Sequence, residues 1–232
     1  MGNMDLFTVK ATAKAVRRRE VMLRVSSIIV IIAVLLLLLF YCLIYLANSL
    51  GDFTVKITDD SDKQYISLSE TPLFENPTTM LYAEILEEMD NITESWIDED
   101  VDQIDGPHNG KNYIAYTFYI KNTSSKTVKY NVEIVIDSVE KAADEAIRVK
   151  VYKNGESTVY AKTQKDSNIP EPNTVPFYSS RLVMSQTEED FASGEVDKYT
   201  VVVWLEGNDP ECIDNIKGGK VKLTMNFTVD EK

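Results

Sequence analysis

One segment near the N-terminus carries no charged residue over the whole distance from Val25 to Leu50. Its central part, residues 28–40, is almost wholly aliphatic, and about 20 apolar residues are enough to span a bilayer as a helix. A core helix of a soluble protein would keep a polar face over this length. The sequence therefore predicts a single transmembrane helix over residues 25–48, with the lipid bilayer as its partner.

Positive charge is concentrated on the N-terminal side of this segment. Residues 1–24 contain six basic and two acidic residues, and the arginines nearest the apolar segment are Arg17, Arg18, Arg19 and Arg24. Basic residues that flank a transmembrane helix remain in the cytoplasm. We therefore predict a single-pass protein of the cell membrane, with a basic cytoplasmic tail (residues 1–24) and an extracellular domain (residues 49–232).

The predicted extracellular part is strongly acidic. The chain has a formal net charge of −13, and the basic tail contributes +4, so the remainder carries −17. An acidic surface of this kind repels polyanions. The charge distribution therefore excludes nucleic acid as a partner and leaves basic surfaces, cations and neutral ligands open.

A cleaved signal peptide is the alternative to a retained anchor. Residues 47–49, Ala-Asn-Ser, are small, as a signal peptidase requires. The apolar segment, however, is longer than the roughly 7–15 residues of a signal-peptide core. We predict that the segment is retained as a signal-anchor, and cleavage stays an alternative.

Alternation with a period of two dominates residues 49–232, which is typical of half-buried strands. It is clearest in residues 126–137 and 220–229, whereas residues 113–121 and 199–206 are apolar on both faces and should lie centrally in a sheet. Asn154-Gly155 between two strand-like runs predicts a tight antiparallel hairpin over residues 148–160. Residues 53–57 and 65–68 are shorter strand candidates.

One short helix is predicted after the last central strand. In residues 209–218, Asp209 suits the N-cap, Pro210 the first helical position, and Gly218 the position after the last turn. Ile213 and Ile216 would then face the core. With many short strands and no other helical pattern, the chain is predicted to be mainly β: an antiparallel, jelly-roll-like β-sandwich preceded by one transmembrane helix.

Residues suited to catalysis are scarce. His108 is the only histidine, and it lies in the turn-like sequence 106–110, so we interpret it as an exposed loop residue. One histidine and one cysteine, Cys212, in residues 49–232 cannot assemble a zinc site or an internal disulfide. We predict no catalytic residues, no enzymatic activity and no resident cofactor.

Calcium remains open because oxygen ligands are plentiful. Residues 98–109 begin like an EF-hand loop, but Gln103 occupies the position of the turn glycine, and Asn109 that of the bidentate acid. A calcium site of another kind could use the acids of this loop, Asp98, Asp100, Asp102 and Asp105, or those of the turn at residues 59–62.

Two other hypotheses rest on side chains that are common in this chain. Binding of cell-wall glycan would need exposed aromatic residues, whereas Trp204 lies in a central strand and should be structural. The candidates for glycan binding are Trp96, Tyr113, Tyr119, Tyr152, Tyr160 and Tyr178. An internal isopeptide bond between lysine and asparagine would suit a sandwich without disulfides. Both residue types are too numerous for the sequence to indicate a pair.

Part of the chain resembles known bacterial surface proteins. Residues 113–123, followed by the alternating strand to residue 137, resemble the TasA/camelysin-type proteins, and the resemblance implies a jelly-roll sandwich. Residues 66–70, 74–79 and 199–212 resemble an uncharacterised group of membrane-anchored proteins from Gram-positive bacteria. The metalloprotease activity suggested for the TasA/camelysin family has no matching metal-binding motif here, and the retained anchor differs from the cleaved segment of the fibre-forming proteins.

These observations predict a non-enzymatic membrane protein that displays its sandwich for cell-surface structure, adhesion or envelope assembly, with other envelope proteins as partners. A ligand-binding or glycan-binding module is the first alternative. A secreted, TasA-like matrix-fibre subunit is the second, and it requires cleavage of the N-terminal segment.

Overall fold

The computed structural model describes residues 13–49, 52–86 and 88–230. The chain forms two compact units that divide between Ser49 and Leu50. The first contains one long helix, α1 (Ala13–Ser49), and the second contains two β-sheets. The part of the predicted tail before residue 13 lies outside the described residues.

Helix α1 has the properties of a membrane span. Its stretch Arg17–Cys42 is long and apolar enough to cross a bilayer, and none of the most apolar window is buried by protein. A helix that is apolar all round and has no protein partner is stable in lipid, where its own backbone hydrogen bonds are all satisfied. Arg17, Arg18, Arg19 and Arg24 are all exposed on the N-terminal part of this helix.

The described part of the second unit contains twelve strands and five short 3-10 turns. The strands are β1 (Phe53–Ile57), β2 (Ile66–Ser69), β3 (Met80–Tyr82), β4 (Gly106–Pro107), β5 (Tyr113–Asn122), β6 (Val128–Val139), β7 (Ile147–Lys153), β8 (Glu156–Ala161), β9 (Val175–Pro176), β10 (Leu182–Phe191), β11 (Val196–Leu205) and β12 (Val221–Asp230). The 3-10 turns are Asp62–Gln64, Glu94–Trp96, Val101–Gln103, Ala143–Glu145 and Asp214–Ile216.

The strands form two sheets. Sheet 1 has the order β10-β6-β12-β1-β3, and sheet 2 has the order β2-β5-β11-β7-β8-β9, with β4 also paired to β5. All pairs are antiparallel except β1 with β12 and β8 with β9, which are parallel. The prediction of a mainly β, two-sheet sandwich after one apolar helix is confirmed, with these two parallel pairs as exceptions.

An aromatic cluster joins the inner faces of the two sheets. Phe118 and Tyr199 of sheet 2 stack with ring centroids 5.7 Å apart, and both lie near Phe227 of sheet 1, at 6.1 and 5.6 Å. Tyr130 and Phe191 of sheet 1 extend the cluster. These side chains are fully buried, so hydrophobic burial and edge-to-face aromatic contacts hold the sheets together.

The outer face of sheet 2 is also covered. Tyr113, Ala115, Val202 and Trp204 point away from the sandwich core and form a second buried cluster, against which the segment of residues 92–101 packs through Ile92 and Val101. This second layer explains why β5 and β11 are apolar on both faces. Their predicted central position is confirmed, because they pair with each other in the middle of sheet 2.

The hairpin between β7 and β8 follows the sequence prediction. Asn154 and Gly155 both have positive φ, 53° and 89°, as the two central residues of a type I′ turn require. The Asn154 side chain also fixes the turn to β11, because its Oδ1 accepts a hydrogen bond from the Lys198 amide at 2.9 Å.

The predicted helix over residues 209–218 is wrong. The structure has turns there and a 3-10 segment at Asp214–Ile216. Asp209 does accept hydrogen bonds in the manner of a cap, from the Glu211 and Cys212 amides, but its carboxylate also pairs with a buried arginine from β7. Ile216 is buried as expected, whereas Ile213 is exposed.

Candidate functional site

The four acids proposed for calcium lie on the segment that covers sheet 2 (residues 92–101) or just after it, in residues 102–105. Tyr113 donates a hydrogen bond to Asp98 at 2.7 Å, and Tyr119 donates one to Asp105 at 2.5 Å. Burial and the bond to Asp98 raise the pKa of Tyr113 to about 12, so its hydroxyl remains a donor. These contacts tie the covering segment to β5.

Acidic groups converge elsewhere in the fold. Glu171, Asp209 and Glu211 each place one carboxylate oxygen within 4.8 Å of the other two. Among the described residues, this is the group of at least three acidic, cysteine or histidine side chains that could hold a metal ion. Asp98, Asp100, Asp102 and Asp105 do not converge in this way. Calcium binding at those four residues stays a prediction, because their carboxylate oxygens do not lie close enough together to form a set of metal ligands.

Glu171, Asp209 and Glu211 form what we term the acid cluster, and a buried arginine faces it. Arg148 of β7 lies 2.7 Å from Asp209 Oδ2 and 3.6 Å from Glu171 Oε2, measured from Nη2. The side chains of Arg148, Asp209 and Glu171 are at most 5% exposed. Arg148 points to the outer face of sheet 2, because it pairs in register with Trp204, whose side chain is buried there.

The acid cluster carries more negative charge than Arg148 balances. Burial, and then the charge of Asp209, raises the pKa of Glu171 despite the opposing effect of Arg148. A hydrogen bond to Asp209, followed by burial, raises the pKa of Glu211. Three oxygen donors beside one guanidinium could hold a hard cation, but the guanidinium already supplies the positive partner for Asp209.

Sequence reasoning did not find the acid cluster, since Glu171 is far from Asp209 along the chain. The available signal was local: Glu171 lies between two prolines, and Asp209-Pro210-Glu211 places two acids on one turn. Neither feature indicates a partner on β7. The arginine inside a strand was the stronger hint, because a buried arginine needs an acidic partner.

His108 is not the exposed loop residue that we predicted. It is half-buried, and its Nδ1 and Nε2 lie 2.7 Å from the carbonyl oxygens of Gly106 and Val101. Both partners are carbonyl acceptors, so the imidazole ring bridges two points of the backbone as a hydrogen-bond donor. Its role in this position is to hold the covering segment together.

Cys212 has no catalytic surroundings. Burial and the charge of Asp209 raise the pKa of its thiol, which opposes formation of the nucleophilic thiolate. Both cysteines of the chain are free.

A second group of charged residues lies at one side of the sandwich, between sheet 1 and sheet 2, where Lys153 and Glu188 remain partly exposed. The Lys153 cluster consists of Lys153 from β7, Glu188 from β10 and Asp197 from β11. Lys153 Nζ contacts Glu188 Oε2 directly and lies 3.4 Å from Asp197 Oδ2. Sequence analysis did not find this group either, because its members come from three strands of two sheets.

Core side chains surround the Lys153 cluster. Tyr130 donates a hydrogen bond to Asp197 Oδ2, and Asn154 Nδ2 donates one to Oδ1 at 2.7 Å. Burial raises the pKa of Tyr130 far above its ordinary value, so the hydroxyl stays protonated. Lys153 Nζ lies over the Tyr130 ring, 5.5 Å from its centroid, which gives the ammonium a cation–π contact.

A groove of about 390 Å³ opens beside the cluster, between the β7–β8 hairpin and β10. Polar side chains predominate in its lining, which consists of Val151, Lys153, Asn154, Glu156, Thr158, Tyr160 and Gln186. Gln186 donates a hydrogen bond to the Tyr160 hydroxyl at 3.0 Å across the two sheets. The groove could hold a small polar ligand.

The aromatic candidates for glycan binding differ in exposure. Trp96 and Tyr178 are largely exposed, at 68% and 76%, whereas Tyr113, Tyr119 and Tyr160 are buried, and Tyr160 contributes to the lining of the groove. Tyr152 packs beside the second buried cluster, with Lys150 over its ring. Trp204 is 1% exposed, which confirms its structural role.

Comparison with known proteins adds little. No family model and no curated protein matches this chain. Two solved structures of β-glucosidase from Kluyveromyces marxianus, one in complex with glucose and one labelled with selenomethionine, are similar at 12% identity, with TM-scores of 0.26 and 0.23. The matches cover 74% and 69% of this chain but 18% and 16% of the glucosidase chains. Similarity this low carries no argument about function, and the resemblance to TasA/camelysin-type proteins stays a prediction.

Proposed function

We propose that this chain is a non-enzymatic single-pass membrane protein that displays its sandwich outside the cell, for cell-surface structure, adhesion or envelope assembly. The observation that carries the proposal is the arrangement along the chain: α1, whose apolar window is free of protein contacts, ends at Ser49, and the first strand of a fully packed sandwich begins at Phe53. The arginines at the N-terminal end of α1 support a cytoplasmic N-terminus.

The contact surface we propose is the free edge of β10. Within the described part of the sandwich, β10 pairs on one side only, with β6, and its ten residues make it much longer than the other end strands β2, β3 and β9. An open edge can accept a strand from another protein. The exposed acids Glu189 and Asp190 on β10 disfavour pairing between identical copies. The edge therefore fits a basic segment of another envelope protein better than a second copy of this chain.

Thiol labelling of intact cells tests the topology. We would place one cysteine in the sandwich, Ser193→Cys, or in the tail, Thr12→Cys, with Cys42 and Cys212 both replaced by serine. A reagent that cannot cross membranes should label residue 193 and leave residue 12 unlabelled until the cells are opened. Labelling of residue 12 in intact cells would contradict the proposed orientation.

Fractionation separates the anchored protein from the secreted alternative. The chain should sediment with membranes after alkaline washing and keep residues 13–49. A mature chain in the medium that starts near Leu50 would instead support a matrix-fibre subunit.

The groove beside β10 favours a second candidate function, the recognition of a small polar ligand such as a cell-wall sugar. Its lining offers hydroxyl, amide and charged groups from Thr158, Gln186 and Lys153, and polar ligands are held by such groups. Titration with muropeptides, observed by NMR, tests this function: shifts confined to groove residues, and lost in Gln186→Leu, would support it. Unchanged spectra would exclude these ligands.

A further inference from the structure

The sandwich has one cysteine and therefore no internal disulfide, yet two strands of sheet 2 place reactive side chains side by side. Lys153 lies opposite Tyr199 in the β7–β11 register, and Asp197 lies two residues from Tyr199 on the same face. This diagonal arrangement brings Lys153 Nζ to 3.4 Å from Asp197 Oδ2. The two side chains are within reach of covalent bond formation.

Asp197 lies at the buried end of this arrangement, and Lys153 lies at its open end. Asp197 is 4% exposed, and the tyrosines beside it, Tyr130 and Tyr199, are fully buried. The side chains of Lys153 and Glu188 are 28% and 37% exposed and are in direct contact. Glu188 is therefore placed to take a proton from Lys153 and yield a nucleophilic amine.

Each oxygen of Asp197 has its own hydrogen-bond donor. Asn154 Nδ2 donates to Oδ1 and can stabilise the negative charge that develops there in a tetrahedral intermediate. Tyr130 donates to Oδ2, the oxygen nearest the lysine. Glu188 contacts the lysine nitrogen from the opposite sheet and is placed to carry protons.

We propose that Lys153 and Asp197 form an intramolecular amide bond, with Glu188 as the proton carrier. Glu188 accepts a proton from the Lys153 ammonium and passes it to Oδ2 of Asp197, and the free amine then attacks Cγ of the resulting carboxylic acid. The attacking nitrogen gives a second proton to Oδ2, which leaves as water when its bond to Cγ breaks. One hydrogen remains on the amide nitrogen, Glu188 ends as it began, and no oxidant or cofactor is needed.

The bond would join the end of β7 to the start of β11 and fix the β7–β8 hairpin to the sheet. It would lie next to the groove and the β10 edge, and so would stabilise that side of the sandwich. This inference does not rest on the proposed function, because it concerns the chemistry of three side chains within one domain.

Intact-mass spectrometry of the full-length chain in detergent tests the proposal. The wild-type protein should be lighter than its sequence mass by one water, and a tryptic digest should contain a branched peptide that joins residues 153 and 197. Lys153→Met should restore the full mass and abolish the branched peptide. Lys162→Met is the matched control and should keep the loss of water, since Lys162 also contacts two acids, Asp144 and Glu145, but lies elsewhere.

Two further variants keep the test decisive if Lys153→Met does not fold. Glu188→Gln retains both reacting groups and removes the proton carrier, so it should have the full sequence mass. Asp197→Asn should still react but should lose ammonia in place of water, a difference that the same spectrum resolves. A wild-type chain at its full sequence mass, or a loss of water that persists in Lys153→Met, would overturn the proposal and leave an ordinary ion pair.

Discussion

Arg148 carries the positive charge that faces the acid cluster on the outer face of sheet 2. Its guanidinium pairs with Asp209 and lies near Glu171, and all three side chains are buried. A buried charge is tolerated because an oppositely charged partner is present. When one partner is removed, the other stays buried without a counter-charge, and its desolvation is no longer offset. Arg148 is therefore the single residue on which this face depends most.

We expect Arg148→Met to destabilise the protein by about 3–5 kcal/mol, because it leaves buried carboxylates without a counter-charge. Urea denaturation at pH 7 measures the change. Arg181→Met, at an exposed position on the loop before β10, should have little effect. An equal decrease in the free energy of unfolding in the two variants would show that the buried ion pair does not stabilise the protein more than an exposed arginine does.

Glu171 predicts a pH dependence. Burial and Asp209 raise its pKa above the ordinary value of 4.5, so the folded chain binds a proton that the unfolded chain has released. This contribution to stability is fully present below pH 4.5 and is lost as the pH rises through the pKa of the folded state. Glu171→Gln, which stays neutral, should be more stable than wild type at pH 7, and the two should converge in acid.

Thermal melts of both proteins between pH 4 and pH 8 check this expectation. Glu189→Gln, at a more exposed acid on β10, serves as the control and should leave the pH profile unchanged. A Glu171→Gln chain that is less stable than wild type at neutral pH would mean that attraction to Arg148 outweighs burial.

At the scale of single elements, the β7–β8 hairpin has the most specific sequence requirement. Gly155 has φ of 89°, a conformation in which any side chain is strained. We expect Gly155→Val to cost about 1–2 kcal/mol. Chemical denaturation measures the loss, and Glu156→Val, one residue along on an exposed strand position, should be nearly neutral. A Gly155→Val chain of wild-type stability would contradict the assigned turn.

The strands could largely be predicted from the sequence because alternation reports burial directly. In β6, Val128, Tyr130 and Val132 are buried while the residues between them are only partly buried, as the period of two requires. The failed helix at residues 209–218 shows the limit of local signals. Its cap residue, Asp209, is held by Arg148, a partner far along the chain that local capping rules do not consider.

The functional residues were harder to predict for the same reason. The calcium candidates, Asp98 to Asp105, were chosen because they are close in sequence, whereas the groups that the fold gathers come from separate strands and loops. Strand periodicity gives the face of each residue but not the order of strands in a sheet. The position of Lys153 beside Asp197 depends on that order.

At the scale of the whole molecule, the sandwich has a hydrophobic core of its own. Every residue of the main hydrophobic core belongs to the sandwich, from Phe53 to Phe227 with Val229 at its border. We therefore expect a chain that begins at Asp52 to fold without α1. Its melting temperature should lie within about 2–4 °C of that of the full chain, which corresponds to about 1 kcal/mol for a protein of this size.

Calorimetry of both chains measures this difference, with far-ultraviolet circular dichroism to confirm the strands. A shortened chain in which Phe118→Ala is introduced provides an unfolded reference, since that ring lies at the centre of the aromatic cluster. If the chain from Asp52 resembles this reference, the sandwich depends on the helix.

The parallel pairing of β1 with β12 also governs the timing of folding. The last strand of the sandwich to be synthesised lies at the centre of sheet 1, between β6 and the strand that was made first. Until β12 is available, β1 and β6 are not joined, and the inner aromatic residues of sheet 2 face an incomplete sheet 1. The domain therefore reaches its compact state only after β12 has left the ribosome, and the preceding strands remain open to proteases and chaperones until then.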